Sequence, residues 1–317
     1  MKIPDTIPVI CGPTGSGKTA LALKIAQVIP LEIVSADSRQ MIRKLNIGTA
    51  KPTSEEKNKI PFHLINIIEP GGDYSAFKFI EDADQAISDI LSRQKLPVVV
   101  GGTGLYLKAL SEGIFDVELD NSEIRRKLEQ DMKTLGPEVM YQKLKHIDPQ
   151  EAAKHHPNNL IRTMRALELY HLTGKTKSEL IQTAHYRKSQ YQFKFFCLVP
   201  SREKLYKSLE RRVEQMLENG LLNEIKGLIN AGLTKPVQEM NVIGYTELIE
   251  FLLGNKSLDQ AVLLMKQNTR RYAKRQITWF RHQIAGDTFS SPIELKKAFW
   301  SHYASFGRRA VKKLDMN

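Results

Sequence analysis

The sequence has little cysteine and no long hydrophobic segment, and both absences exclude whole classes of protein. Only two of its 317 residues are cysteines, Cys11 and Cys197, too few for a disulfide framework or for a zinc site with four cysteine ligands. No run approaches the roughly 18 apolar residues that a membrane helix needs, and the opening MKIPDTIPVI lacks the apolar segment of a signal peptide. We therefore expect a soluble, cytoplasmic protein.

What the sequence does contain is an excess of positive charge, which is unevenly distributed. Residues 1–115 carry 13 Lys and Arg against 12 Asp and Glu, whereas residues 116–317 carry 34 against 23. Nearly all of the net charge of +12 therefore belongs to the second part of the chain, where it either binds a polyanionic partner or forms a solubilising tail. The hydrophobic content of 41% is sufficient for packed cores and excludes a chain that is disordered throughout.

Apolar runs alternate with helical periodicity in the first part of the chain, which predicts an α/β fold. Strands separated by helices indicate a mostly parallel sheet flanked by helices. The predicted strands are residues 7–11, 31–35, 63–67 and 97–100, and the helices among them are residues 20–29 and 75–93.

The pattern then becomes helical, with breaks before the prolines at positions 137, 149 and 157, and returns to a strand at FKFFCLV, residues 193–199. This order predicts an α-helical insertion domain within the α/β fold. The predicted organisation is a P-loop-type α/β core with C-terminal helices formed by residues 1–117 and 192–290, a helical insertion at 118–191, and a basic tail at 291–317.

A phosphate-binding loop follows the first predicted strand. The motif G-x-x-x-x-G-K-[ST] lies between a strand and a helix, where its amides and the helix N-terminus would bind a di- or triphosphate. Lys18 would contact phosphate oxygens, and Thr19 would hold Mg²⁺ through its hydroxyl. The eight residues are Gly12, Pro13, Thr14, Gly15, Ser16, Gly17, Lys18 and Thr19.

The position of the nearest carboxylate argues against an ATPase. The apolar strand that ends at Val100 continues into glycines, without the acid that organises magnesium in many nucleoside triphosphatases. Asp37 instead follows the second strand, at the sheet edge where ligands of α/β proteins bind. Asp37 is therefore expected close to the loop, and its plainer interpretations are a helix N-cap or an outer magnesium ligand.

Several motifs together resemble the bacterial tRNA dimethylallyltransferases, also called tRNA isopentenyltransferases. The resemblance covers roughly residues 7–285, and the order of its motifs is far more specific than a phosphate-binding loop alone. The matching stretches are GPTGSGKT, SADSRQ, NIGTAKP, GGTGLYLKAL, HPNNLIRTMRALEL, RRVEQMLENGLLNEIKGL, NVIGYTEL and AKRQITWFR.

The resemblance implies transfer of a dimethylallyl group from dimethylallyl pyrophosphate to an adenosine amine of tRNA. The target is the adenosine immediately 3′ of the anticodon, in tRNAs reading codons that begin with U. It further implies the anticodon stem-loop as the bound part of tRNA. From the loop and the composition we also expect Mg²⁺ as cofactor and no membrane partner, and we expect a monomer. A base inside this loop would have to swing out of its stack to react.

The family also implies roles for individual residues. The catalytic residues are Asp37 as the base, Thr103 near the reacting atoms and Lys18 on the departing pyrophosphate. The implied tRNA contacts are Asp37, Ser38, Arg39, Gln40, Thr103, Arg125, Ile161, Arg162, Thr163, Met164, Arg165, Asn241, Val242, Ile243, Gly244, Tyr245, Thr246, Lys274, Arg275, Gln276, Ile277, Thr278, Trp279, Phe280 and Arg281.

Some of these residues have plainer interpretations. Thr103 suits a helix N-cap, Arg162 and Arg165 suit a charged helix face, and aromatic residues such as Trp279 more often pack than stack on bases. Ile42 departs from the family, which often has an aromatic residue there. Residues 290–317 lie outside the resemblance, and a solvated tail is favoured over an added RNA-binding helix.

Two other functions remain compatible with the phosphate-binding loop. One is a small-molecule enzyme, either a nucleotide kinase or an isopentenyltransferase of free adenine nucleotides. The other is an RNA-binding NTPase without a transferase step. The basic second part of the chain favours tRNA over a free nucleotide.

Overall fold

The computed structural model describes residues 4–114, 122–183 and 187–306, and contains one parallel sheet. Its strand order is β3-β2-β4-β1-β5-β6, which confirms the predicted α/β class. The six strands are β1 (Ile7–Cys11), β2 (Leu31–Ala36), β3 (Phe62–His63), β4 (Leu96–Gly101), β5 (Phe193–Leu198) and β6 (Asp287–Phe289).

Helices occupy most of the remaining described chain. In sequence order they are α1 (Lys18–Ala26), α2 (Ser54–Lys59), α3 (Ala76–Ser92), α4 (Gly104–Glu112), α5 (Ser122–Ile147), α6 (Pro149–Ala152), α7 (Leu160–Thr173), α8 (Lys177–Thr183), α9 (Arg202–Glu218), α10 (Leu221–Asn230), α11 (Thr234–Glu239), α12 (Tyr245–Leu252), α13 (Leu258–Gln283) and α14 (Pro292–Tyr303), followed by a 3₁₀ turn (Ala304–Phe306). Within the described segments, no helix is both long and apolar enough to cross a membrane.

The chain forms two compact units. One contains the sheet and comprises residues 1–112 and 188–317, and the other, residues 113–187, is helical. The helical unit has the predicted breaks: Gly136 has non-helical backbone angles within α5, and the side chain of Asp148 caps α6. Its core packs Leu128, Met140 and Leu144 against α7.

Strand register decides which side chains meet at the carboxyl edge of the sheet. Cys11 at the end of β1 pairs with both Gly101 of β4 and Cys197 of β5, and Ala36 of β2 pairs with Gly101. Cys11 and Cys197 are buried free thiols whose Sγ atoms lie 2.7 Å apart. The residues that follow β1, β2 and β4 are therefore neighbours in space.

The third predicted strand is shorter than expected. We predicted residues 63–67, but β3 ends at His63 because Leu64 and Asn66 have φ angles of 59° and 56°, which a strand cannot accommodate.

Residues 292–303 of the predicted C-terminal tail are folded, which corrects their interpretation as solvated. They form α14, whose Leu295, Phe299 and Tyr303 lie in the same buried core as β1, β2, β4 and β5. The Phe299 ring lies 5.5 Å from that of Phe196, and the hydroxyl oxygens of Tyr303 and Thr6 are 2.9 Å apart. The basic residues Arg308, Arg309, Lys312 and Lys313 lie outside the described residues.

Candidate functional site

The predicted phosphate-binding loop connects β1 to α1. Gly12 has a φ of 145°, and a Cβ there would lie 2.2 Å from the carbonyl oxygen of Leu198, so only glycine fits. Gly17, with a φ of 90°, occupies the N-cap of α1. The loop therefore presents its amides and a helix N-terminus in the arrangement that binds phosphate.

Lys18 carries a positive charge at the start of α1. Its Nζ donates a hydrogen bond of 2.7 Å to the carbonyl oxygen of Pro13. Burial lowers the pKa of Lys18 to about 8, the negative charge of Asp37 opposes this change, and the positive charge of Arg212 reinforces it. Lys18 therefore remains mostly protonated at neutral pH, and three charged groups share one site.

Asp37 follows β2 at the carboxyl edge of the sheet. It is half-buried, and its Oδ1 accepts a hydrogen bond of 2.9 Å from the amide of Arg39. Burial raises the pKa of Tyr106 and of Tyr272 to about 12, and the charge of Asp37 contributes to both. The segment after Asp37 forms turns, so this carboxylate is not the N-cap of an α-helix.

Thr103 connects the glycine-rich turn after β4 to the Asp37 segment. Its Oγ1 accepts a hydrogen bond of 2.9 Å from the amide of Ser38, and its own amide donates to the carbonyl oxygen of Ala36 at 3.1 Å. Thr103 does precede α4, since its carbonyl oxygen accepts from the amide of Leu107. However, its hydroxyl also holds the amide of Ser38, the residue that follows Asp37.

Arg212 is a residue that the sequence analysis missed. It lies on α9, whose Leu205, Leu209 and Val213 are buried and whose Ser208 donates from Oγ to the carbonyl oxygen of Gly15. Burial lowers the pKa of Arg212, and the charge of Asp37 opposes this. Helical spacing in the sequence could have indicated its position, because Arg212 lies one turn after Ser208 and next to the buried apolar residues of the helix.

The segment after Asp37 is held by hydrogen bonds from side chains, to other side chains and to the backbone. Gln40 accepts from Ser35 Oγ at 3.1 Å and donates from Nε2 to the carbonyl oxygen of Ala50 at 3.0 Å. Lys51 donates to the carbonyl oxygen of Ile42. Ile42 is fully buried, so the departure from the family's aromatic residue lies in the core.

The segment Asn241–Thr246 lies mostly in the interior of the protein and not on its surface. Tyr245 is fully buried, and its hydroxyl donates to Glu224, which also accepts from the amides of Asn46 and Ile47. Val242 is buried as well. No part of the Tyr245 side chain reaches solvent, and the tRNA contact predicted for this residue stays a prediction.

The basic helix α13 has two distinct faces. Arg271, Lys274, Arg275 and Arg281 are exposed, whereas Ala273, Gln276 and Phe280 are buried. Trp279 packs against the first residue of α4, since a Cβ on Gly104 would lie 2.5 Å from its ring. The structure thus separates the predicted tRNA residues of this helix into an exposed basic set and a buried set.

The predicted residues of the helical unit also differ in exposure. Ile161 is 84% exposed and Arg162 is exposed, whereas Thr163 is fully buried and offers no side-chain atom to RNA. The guanidinium groups of Arg125 and Arg165 both lie within ion-pair distance of Glu168.

The residues at the loop fit a magnesium ion held together with a diphosphate. In the described part of the chain, no group of three His, Cys, Asp or Glu side chains could hold a metal ion. Magnesium, however, commonly takes one or two protein oxygens and completes its shell with water and substrate phosphate. Thr19, in the first turn of α1 beside Lys18, supplies such a hydroxyl oxygen.

Comparison with known families gives two matches. Residues 40–283 match the family model described as IPP transferase, and residues 5–65 match the model described as isopentenyl transferase. The tRNA dimethylallyltransferase 1 of Pelobacter propionicus is 46% identical over 274 residues, which are 86% of this chain and 89% of that protein.

Solved structures show the same similarity. The full-length tRNA isopentenylpyrophosphate transferase of Bacillus halodurans is 35% identical, with a TM-score of 0.67 and coverage of 99% of this chain and 100% of that one. A eukaryotic dimethylallyltransferase described as acting on tRNA is 32% identical, with a TM-score of 0.72 and coverage of 96% and 77%.

Proposed function

The chain belongs to the tRNA dimethylallyltransferase family, and we propose that it transfers a dimethylallyl group from dimethylallyl pyrophosphate to tRNA through the site around Asp37. The acceptor is the exocyclic amine of the adenosine immediately 3′ of the anticodon, in tRNAs that read codons beginning with U. The protein acts as a monomer in the cytoplasm, where its tRNA substrate is found.

The phosphate-binding loop holds the pyrophosphate of the donor. Amides of Gly15, Gly17, Lys18 and Thr19, at the N-terminus of α1, face its oxygens, and Lys18 and Arg212 add positive charge. A bound diphosphate raises the pKa of Lys18 again by supplying negative charge. Mg²⁺ at Thr19 supplies further neutralisation of the leaving group when bound.

Asp37 takes the proton from the attacking amine. The new bond joins the adenine nitrogen to the allylic carbon, and the bond between that carbon and the pyrophosphate oxygen breaks. The electron pair leaves with pyrophosphate, and the proton of the amine passes to the Asp37 carboxylate. Thr103 positions this carboxylate through Ser38, and Lys18 stabilises the charge that develops on the leaving group.

The tRNA lies on exposed basic side chains. Arg271, Lys274, Arg275 and Arg281 of α13 form a cationic face suited to phosphates, while Ile161 and Arg162 provide exposed contacts on the helical unit. Extrusion of the target base from its stack brings its amine to the sheet edge.

The observation that carries this proposal is the position of Asp37 at the carboxyl edge of the sheet, where its charge acts on both Lys18 and Arg212. A carboxylate there can receive a proton while the cations hold the pyrophosphate. This arrangement is suited to the transfer of a group from a diphosphate to an acceptor. It does not require the hydrolysis of a nucleotide.

A single assay tests the proposal against the other functions. The purified protein is incubated with labelled dimethylallyl pyrophosphate and Mg²⁺, together with an anticodon stem-loop, AMP or ATP. We expect label on the stem-loop adenosine alone. Label on the free nucleotides alone would refute tRNA as the acceptor, and RNA-stimulated ATP hydrolysis without any transfer would support an NTPase instead.

A further inference from the structure

Gln276 of α13 forms two hydrogen bonds to backbone groups beside the reaction site. Its Oε1 accepts from the amide of Thr14 in the phosphate-binding loop at 2.8 Å, and its Nε2 donates to the carbonyl oxygen of Gly102 at 2.8 Å. The residue is only 8% exposed. It therefore joins the loop after β1 to the turn after β4.

The chemistry at this position requires a primary amide. One end of the side chain must accept from an N–H group and the other must donate to a carbonyl oxygen, which fixes the orientation of the amide. A Cβ on Gly102 would lie 2.6 Å from Nε2, so a glycine at that position allows the close approach. A glutamate at position 276 would accept from Thr14 but repel the Gly102 carbonyl oxygen.

The opposite face of the same helix is the one that binds RNA in the proposed function. Lys274 and Arg275 directly precede Gln276 and are exposed, whereas Gln276 and Phe280 face inward. One helix thus contacts the RNA on its outer face and the donor loop on its inner face, and Gln276 forms the direct polar link to that loop.

We propose that Gln276 is a positioning residue that couples tRNA binding to the conformation of the diphosphate loop. This inference rests on the proposed function. It gives Gln276 a positioning role in place of the predicted tRNA contact. RNA that holds α13 in place also holds the Thr14 amide through Gln276, so the loop is ordered for pyrophosphate. The coupling is reciprocal, because pyrophosphate favours the same position of the helix.

The test measures pyrophosphate binding by calorimetry, with and without a saturating anticodon stem-loop, for the full-length protein and its variants Gln276→Met and Gln276→Glu. We expect RNA to strengthen pyrophosphate binding to the unmodified protein about fivefold. Both variants should bind pyrophosphate about tenfold more weakly in the presence of RNA, and RNA should no longer strengthen that binding. Their affinity for the stem-loop should change less than about twofold, because Gln276 does not face the RNA.

The matched control is Gln267→Glu, which adds the same charge to the same helix and should leave pyrophosphate affinity and coupling unchanged. Gln276→Glu should bind pyrophosphate more weakly than the unmodified protein at about pH 7, and this difference in affinity should become smaller at about pH 5. At the lower pH a protonated carboxyl group can donate a hydrogen bond to the carbonyl oxygen of Gly102. This pH readout distinguishes positioning from a general loss of packing.

Two results would overturn the inference. Unchanged pyrophosphate affinity and coupling in Gln276→Met would exclude the link, and a loss of RNA affinity alone would restore Gln276 as a direct RNA contact. Failure of the unmodified protein to bind pyrophosphate would instead overturn the proposed diphosphate site, and this inference with it.

Discussion

The hydroxyl of Thr103 accepts a hydrogen bond of 2.9 Å from the amide of Ser38, so the turn after β4 fixes the residue that follows Asp37. Thr103→Val removes this acceptor while preserving the shape of the side chain. We expect kcat to fall about tenfold or more, since a misplaced base loses much of its effect, while Thr103→Ser retains most activity. Steady-state kinetics with the stem-loop tests this, and kcat within twofold of normal in the valine variant would exclude the positioning role.

Removal of the proposed base should separate catalysis from binding. Asp37→Ala should lower single-turnover transfer by about a hundredfold or more, because general base catalysis contributes at least that much. Affinity for the stem-loop should remain within a few-fold. Asp73→Asn, at an exposed carboxylate, is the control. Turnover retained by Asp37→Ala would show that another group accepts the proton.

Arg212 should act mainly on the diphosphate. Arg212→Gln removes a cation that lies within electrostatic range of Lys18 and Asp37, and we expect KM for dimethylallyl pyrophosphate to rise about tenfold or more. Arg211→Gln changes the neighbouring exposed arginine and should have little effect. Equal changes of KM in the two variants would argue for a general charge effect.

Lys274 should contribute to RNA binding through phosphate. Lys274→Ala should weaken stem-loop binding and reduce the slope of log K against log salt concentration by about 1, as expected for one lost phosphate contact. The exposed Lys226 of α10 provides the control substitution to Ala. Titrations by fluorescence anisotropy at several salt concentrations measure both quantities. An unchanged slope would count against a phosphate contact.

Glu32 should make the stability of the sheet unit depend on pH. Burial opposes its ionisation, but hydrogen bonds from Arg93, His63 and Lys95 lower the pKa of Glu32 to about 2. Because the folded pKa is below the unfolded one, this stabilisation is present above the ordinary glutamate pKa and disappears as the pH falls toward about 2.

Glu32→Gln should therefore lower the free energy of unfolding by about 3 kcal/mol at neutral pH and by much less near pH 2. Denaturant unfolding at several pH values measures this difference. Glu55→Gln changes an exposed glutamate and should alter stability little at either pH. A difference between Glu32→Gln and the unmodified protein that did not vary with pH would exclude this cause.

Local spacing was sufficient to predict the phosphate-binding loop and the approximate positions of the first strands. The proximity of Asp37 to that loop also followed, because the carboxyl ends of parallel strands share one edge. The end of β3 did not follow, since the positive φ angles of Leu64 and Asn66 depend on contacts that the sequence pattern does not reveal.

It was harder to predict which side chains of a helix point inward. Gln276 stands in a basic and aromatic stretch, and only the packing of α13 on the turn after β4 shows that it points inward. Leu295, Phe299 and Tyr303 do have helical spacing, but the surrounding basic residues favoured a solvated segment. In both cases a tertiary contact, absent from the local pattern, determined the environment.

The sheet order has a consequence for biosynthesis. Strand β1 lies between β4 and β5, and the whole helical unit is translated between those two partners. One edge of β1 therefore lacks its partner until Phe193–Leu198 has left the ribosome, whereas the helical unit has mostly local contacts and can fold earlier. The strand that precedes the phosphate-binding loop is thus completed late, so a nascent chain stalled before β5 exposes a hydrophobic strand edge to chaperones and to aggregation.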